Sequence, residues 1–190
     1  SPDGKTLVFN AAGFLWKKTL PIGQPVRLTK GTDLEFEPAF SKDGKYLVYV
    51  TWNDDSMGAI NRLDMSNPGK KAERLTSDKG IYREPTFSPK DVNTIVYRRE
   101  SGNDHLGFVH TKQEGIYLLQ IKPNSKPSPK LLSRTGEYPS FNKEGNRVYY
   151  QSGGHLFGSL TKTLMSIDIE GKAAATFSKP YTFFVPVEGE

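Results

Sequence analysis

The chain has 190 residues, of which 35% are hydrophobic and 12% aromatic, a composition typical of a folded β-rich protein and unlike that of a disordered one. Its 26 basic and 21 acidic side chains give a net charge of +5 without a dense basic stripe, so no nucleic-acid partner is expected. Because cysteine is absent, disulfide bonds and thiolate metal sites are excluded.

A short phrase recurs four times along the chain and dominates its organisation. The copies occupy residues 1–9, 41–49, 88–97 and 142–150. A lead-in that ends in phenylalanine precedes each of the last three copies, and Phe40, Phe87 and Phe141 lie 47 and then 54 residues apart. A period of this length, built from short strands, is typical of a β-propeller.

The second copy is complete and indicates how each repeat becomes one blade. Residues 36–40 read as a first strand, and residues 41–44 supply the Ser, Asp and Gly of a tight turn. The apolar residues of the second strand, at 45–51, hardly alternate with polar ones, which predicts burial on both faces. Further strands at 59–64 and 73–76 complete a four-stranded antiparallel blade.

The other copies follow the same order of strands and turns, so the chain is predicted to be an all-β propeller with about four blades. The blades are expected at residues 1–30, 36–77, 84–133 and 138–178. Residues 180–187 are predicted to form the first strand of a next blade or of the first blade. In the second case the four blades close into a ring without an exposed edge. In the first case they are cut from a larger ring, and the chain is an excerpt of a longer protein.

The run Ser1-Pro2-Asp3-Gly4-Lys5 and the Arg-Leu-Thr triplets at 27–29 and 74–76 resemble the TolB-type (PD40) propeller repeat. This repeat occurs in the Tol-Pal envelope protein, in tricorn-like proteases and in propellers attached to hydrolases. A narrower resemblance, carried by residues 36–55 and 80–87, is to the propeller that precedes a metal-dependent amidohydrolase domain. That resemblance implies a secretory signal and a barrel with His and Asp metal ligands, whose motifs do not occur within these residues.

The main candidate binding residues, Trp52, Asp54 and Asp55, lie at the exit of a second strand, where loops gather at one propeller mouth. Tyr82, Arg83 and Arg98 occupy related positions in the next blade and could face the same mouth. Trp52 offers a stacking face, and the two carboxylates could hold a cation or a basic group. The alternatives are that the aspartates cap the turn, that Trp52 packs between blades, and that Arg83 forms an interblade salt bridge.

No catalytic set is present in the sequence. The nucleophile elbow, the zinc-binding helix motif and the glycine-rich phosphate loop are all missing. His105, His110 and Asp104 share a loop but do not match a known ligand spacing. We therefore expect no catalytic residues, no metal site and no cofactor, although a parent chain could be a metal-dependent hydrolase.

The predicted function is that of a non-catalytic scaffold that docks a downstream domain or binds a protein or ligand, within a larger amidohydrolase-type protein. The alternative is a Tol-Pal-like envelope interaction protein. The longest apolar runs are too short to span a bilayer, so no membrane insertion is expected. Open blade edges could also pair with a second copy. The family resemblance implies a periplasmic or secreted location.

Overall fold

The computed structural model describes residues 1–100, 113–122, 125–153, 155–156, 159–172, 175–176 and 181–182. All regular structure in these segments is β-strand, arranged in four separate antiparallel sheets. The predicted all-β propeller fold with four blades is confirmed. No helix long and apolar enough to cross a membrane occurs in the described part of the chain.

The first three sheets are regular, and in each of them the strands are hydrogen-bonded in the order of the chain. The first blade contains β1 (Thr6–Ala11), β2 (Phe14–Thr19) and β3 (Val26–Arg27). The second contains β4 (Leu34–Phe40), β5 (Tyr46–Asn53), β6 (Met57–Asp64) and β7 (Glu73–Arg74). The third contains β8 (Ile81–Phe87), β9 (Thr94–Glu100), β10 (Gly115–Gln120) and β11 (Lys130–Ser133).

The fourth blade is less regular because one of its strands is long and has several partners. It contains β12 (Glu137–Phe141), β13 (Arg147–Ser152), β14 (His155–Leu156), β15 (Ser159–Asp168), β16 (Ala175–Thr176) and β17 (Tyr181–Thr182). Both β16 and β17 pair with β15. The described part of the predicted strand at 180–187 is thus an edge strand of the fourth sheet, and the rest of that segment lies outside the described residues.

The second strand of the second blade is buried on both faces, as its unbroken apolar run predicts. Leu47 and Tyr49 enter a core cluster with Leu15 of the first blade. Val48 and Val50 enter a different cluster, together with Ile95 of the third blade. Since neighbouring side chains on a strand point to opposite faces, one short strand contributes to two separate interblade cores.

The third blade repeats this arrangement. Ile95 and Tyr97 of β9 belong to the core shared with the second blade, whereas Val96 packs with Val148 of the fourth. The first strands β4, β8 and β12 are neighbours in space. The blades therefore stack face to face in chain order, with their first strands innermost.

The turn between the first two strands is held by its serine. In the second blade, the Ser41 hydroxyl donates to Asp43 Oδ1 (2.6 Å) and accepts from the Tyr46 N–H (2.9 Å). Gly44 has a φ of 72°, a conformation that favours glycine. In the third blade, where the usual Asp-Gly pair is replaced, Asp91 instead accepts from the Asn93 N–H and the Thr94 hydroxyl. The strands on both sides are intact, as predicted.

Replacing Ser41 by alanine should destabilise the protein, because the Tyr46 N–H would lose its acceptor at a position where Ser41 itself is fully buried. Loss of one partner of a buried hydrogen bond costs about 1–3 kcal/mol. Urea unfolding of Ser41→Ala and of the exposed neighbour variant Lys42→Ala measures the effect. Equal free energies of unfolding for the two variants would contradict the assigned role of the serine.

Candidate binding mouth

The innermost strands share an unusual residue immediately before a proline. Glu37, Glu84 and Tyr138 have φ angles of 51°, 56° and 53°, in the left-handed region that non-glycine residues seldom occupy. At each of these positions the pairing with the second strand shifts register, which marks a β-bulge. The N–H of the bulged residue is therefore removed from the strand ladder and needs another acceptor.

The preceding blade supplies that acceptor through a carboxylate. The Glu84 N–H donates to Glu37 Oε2 at 2.5 Å, and the Tyr138 N–H donates to Glu84 Oε2 at 2.6 Å. The bulged residue of one blade thus caps the bulged residue of the next. We call the three residues Glu37, Glu84 and Tyr138 the axial relay, since they link the innermost strands of three consecutive blades.

Two predicted site arginines join this relay to the second strands. Arg83 Nε lies 2.5 Å from Glu37 Oε1, so an ion pair links the third blade to the second. Arg98 lies 3.1 Å from Glu100, 3.6 Å from Glu84 and 3.8 Å from Glu137. The positive charge of Arg98 is therefore balanced by three carboxylates together and not by one ion-pair partner.

Burial raises the pKa of the Glu84 carboxyl above its ordinary value of 4.5, against the opposing effects of the Tyr138 N–H and the Arg98 guanidinium. A carboxyl that accepts a backbone N–H and neighbours a cation would ordinarily titrate low. The effect of burial on the pKa of Glu84 therefore outweighs these two contributions, because withdrawal from water disfavours the charged form of the carboxyl.

A cleft of about 420 Å³ opens beside the relay, between the second and third blades. Phe36, Val50, Trp52 and Ile81 give it a largely apolar lining, and Glu37 and Arg83 stand at its rim. Tyr82 also borders the cleft, but it is 2% exposed, and its hydroxyl donates to the Asp78 carbonyl oxygen. Trp52, Tyr82 and Arg83 are thus brought together.

The two predicted aspartates lie on the loop after Trp52. The Trp52 indole N–H donates to Asp54 Oδ1 at 2.8 Å, which fixes the ring beside the cleft. Asn53 Oδ1 accepts the Asp55 N–H, and Lys79 Nζ donates to the Asp55 carbonyl oxygen. Both aspartates are exposed, and the cap of this turn is Asn53.

Sequence reasoning missed Glu37, Glu84 and Tyr138 as members of the site. The signal was present, since each residue precedes the proline of a lead-in, but only the bulge shows what that position does. In the described segments no group of three or more His, Asp or Glu side chains could hold a metal ion. His105 and His110 lie outside those segments.

Glu84→Gln should remove a pH dependence of stability while keeping an oxygen that accepts the Tyr138 N–H. With the pKa of Glu84 raised in the folded state, the folded protein binds more protons than the unfolded chain just above pH 4.5, so its stability falls as pH rises there. Glu84→Gln has no carboxyl at this position, so its stability does not fall with rising pH for this reason. Its free energy of unfolding, relative to that of the original protein, should increase from acid pH towards neutrality.

Urea unfolding across this pH range tests the effect, with Glu144→Gln on an exposed turn as the matched control. A difference between Glu84→Gln and the original protein that does not change with pH would show that burial at the axis leaves this carboxyl unaffected.

The chain is similar to known proteins in part of its sequence and in its fold. No family model matches the chain. Over 84 residues it is 32% identical to the Tol-Pal system protein TolB of Francisella tularensis subsp. mediasiatica, a match that covers 44% of this chain and 17% of the relative. The matched stretch thus spans about a sixth of the length of the curated relatives.

Solved structures agree over nearly the whole chain. The tricorn protease superposes with a TM-score of 0.71 at 13% identity, covering 93% of this chain and 21% of the protease. Oligogalacturonate lyase in complex with manganese gives 0.69 at 14% identity, with 94% and 51% covered. TolB from Acinetobacter baumannii gives 0.64 at 19% identity, with 93% and 41% covered. The chain therefore has the fold of a TolB-like β-propeller.

Proposed function

We propose that this propeller is a non-catalytic scaffold that binds a protein at the mouth formed by Trp52, Arg83 and the axial relay. The observation that carries the proposal is the apolar cleft between the second and third blades, which the relay borders. Protein partners often anchor through one large apolar or aromatic side chain in such a recess, with charged groups around it.

The cleft suits an anchor because of its lining. Phe36, Val50, Trp52 and Ile81 offer apolar surface from three different strands, and contact with them removes water from both partners. The Glu37–Arg83 pair at the rim remains partly exposed, with side chains 26% and 45% accessible. It can orient a partner's backbone without being buried as an unpaired charge.

Rigidity favours binding at this position. Glu37 is held by Arg83 on one carboxylate oxygen and by the Glu84 N–H on the other. The Trp52 ring is held by Asp54. Because these side chains already have fixed partners, they lose less conformational freedom when a partner binds than the side chains of a mobile surface would.

The exposed carboxylates of Asp54 and Asp55 favour a partner that carries a basic side chain. They lie on the loop that follows Trp52, and neither forms an ion pair with another described residue. A segment that places an apolar side chain in the cleft and a basic side chain beside this loop would match both features. Such charge complementarity contributes mainly to orientation and association rate.

A Tol-Pal-like role is the more specific form of this proposal. It is supported by the local identity to the Francisella TolB and by the shared fold with the Acinetobacter TolB. In that case the partner is the lipoprotein of the Tol-Pal system, Pal, and the location is periplasmic. The association with an amidohydrolase domain stays a prediction from sequence resemblance.

Binding of soluble Pal, prepared without its lipid anchor, tests the specific form. Trp52→Ala should weaken binding about tenfold or more, as expected for a central aromatic anchor. Arg83→Ala should weaken it less, since its charge is partly exposed. Calorimetric titration of the original protein and both variants measures these changes, and Lys42→Ala, in an exposed turn outside the cleft, should bind like the original protein.

The two levels of the proposal fail in different ways. If Pal does not bind the original protein, the Tol-Pal-like role is wrong. If Pal binds but Trp52→Ala and Lys42→Ala have the same affinity, the mouth is not the docking surface.

A further inference from the structure

A second cleft, of about 510 Å³, lies between the first and second blades and has no part in the mouth described above. Its floor is formed by side chains buried within the sheets, chiefly Glu35, Tyr49 and Asn61. Its rim is cationic and consists of Lys30, Lys70, Lys71 and Arg74. We call this cavity the outer cleft.

The Tyr49 hydroxyl lacks a hydrogen-bond partner among the described residues, although the residue is only 4% exposed. In the described segments, every side-chain nitrogen or oxygen that is fully shielded from solvent has a hydrogen-bond partner. Since the Tyr49 hydroxyl has none, it is not fully shielded and must reach the open space of the cleft. Burial, with Glu35 and Asp33 nearby, raises the pKa of Tyr49 and keeps its hydroxyl protonated as a donor. A buried polar group of this kind is normally satisfied by a partner or a ligand.

Glu35 presents a second free position at the same floor. The Leu15 N–H at 2.9 Å and the Thr29 hydroxyl at 2.6 Å both donate to Oε2, while Oε1 accepts from none of the described residues. Glu35 is 2% exposed, so by the same reasoning its free oxygen faces the cleft. The floor therefore offers one hydroxyl and one carboxylate oxygen whose places in the fold are fixed but whose hydrogen bonding is incomplete.

The charges around the cleft limit what can enter. Four cations stand at the rim against the two carboxylates of Glu35 and Asp33, so the lining has an excess of positive charge. None of Lys30, Lys70 and Lys71 forms an ion pair with another described residue. Such a lining attracts anions and disfavours simple cations. The floor, by contrast, offers a carboxylate oxygen that accepts and a phenol hydroxyl that donates, and neutral hydroxyl groups can match both.

We propose that the outer cleft binds a small polyhydroxylated anion, of the class of sugar acids and sugar phosphates. Ligand hydroxyls donate to Glu35 Oε1 and exchange a hydrogen bond with the Tyr49 hydroxyl, and the anionic group lies among Lys30, Lys70 and Lys71. Neutral hydroxyls satisfy the floor without bringing a second charge into it, which an ammonium group would do at the cost of desolvation. The site is independent of the axial mouth and of the proposed protein partner.

Calorimetric titration of the 190-residue chain with glucuronate, glucose 6-phosphate, glucose, inorganic phosphate and serine tests the proposal. We expect glucuronate or glucose 6-phosphate to bind more tightly than glucose, with an affinity that decreases as salt is added. The tighter of the two identifies the anionic group as a carboxylate or a phosphate. Phosphate alone binding as well as glucose 6-phosphate, or serine binding best, would overturn the proposal, and so would an absence of binding at millimolar concentration.

Tyr49→Phe is the decisive variant, because it removes a hydroxyl that makes no hydrogen bond within the described fold. Its melting temperature should equal or exceed that of the original protein, whereas its affinity for the sugar anion should fall roughly three- to tenfold. Tyr46→Phe, on the same strand but outside the cleft, is the matched control and should bind normally.

The rim is tested separately with Lys70→Gln/Lys71→Gln. This double variant should lose most of the salt dependence of binding and bind glucose as the original protein does. Unchanged affinity of Tyr49→Phe for the sugar anion would place the ligand elsewhere and disprove the site.

Discussion

The architecture depends on one constraint, which is that the second strand of a blade must bury both of its faces. Leu47 and Val48 are adjacent in sequence, yet each is fully buried in a different interblade core. Since such a strand cannot face water, each blade requires a neighbour on either side, and sheets that satisfy this requirement in succession fan around a common axis. Apolar burial is the main favourable term in such stacking, and it does not depend on the loops at the two ends.

At the axis, where the innermost strands converge, some backbone N–H groups have no partner within their own sheet. The bulges at Glu37, Glu84 and Tyr138 release an N–H from each ladder, and a carboxylate of the preceding blade accepts it in the two cases that the described residues contain. The relay thus couples neighbouring blades by directed hydrogen bonds, whereas the apolar cores couple them without direction. The same carboxylates hold Arg83 and surround Arg98, so the contacts that fix the blades also set the charge of the mouth.

Much of this could be predicted from the sequence, because the decisive features are local. The unbroken apolar run after Ser41 indicates burial on both faces, and the Ser, Asp and Gly of the turn have the chemistry that the turn requires. The pairing of Tyr181–Thr182 with β15 could not be predicted, since edge pairing depends on tertiary packing. The roles of Glu37 and Tyr49 were also hidden, because one depends on a left-handed bulge and the other on an absent partner across a cleft.

Equivalent positions in successive repeats show how one scaffold acquires different sites. Glu35 and Tyr82 lie 47 residues apart and both face the preceding blade. The relay residues Glu37 and Glu84 lie the same distance apart, and their carboxylates face the following blade. At the position whose carboxylate caps the next bulge, the second and third blades both have glutamate. At the position that borders a cleft, the second blade has Glu35, with one free carboxylate oxygen, and the third blade has Tyr82, whose buried hydroxyl donates to a backbone carbonyl oxygen. Identity between repeats therefore marks what holds the propeller together, and differences between them mark where ligands can be distinguished.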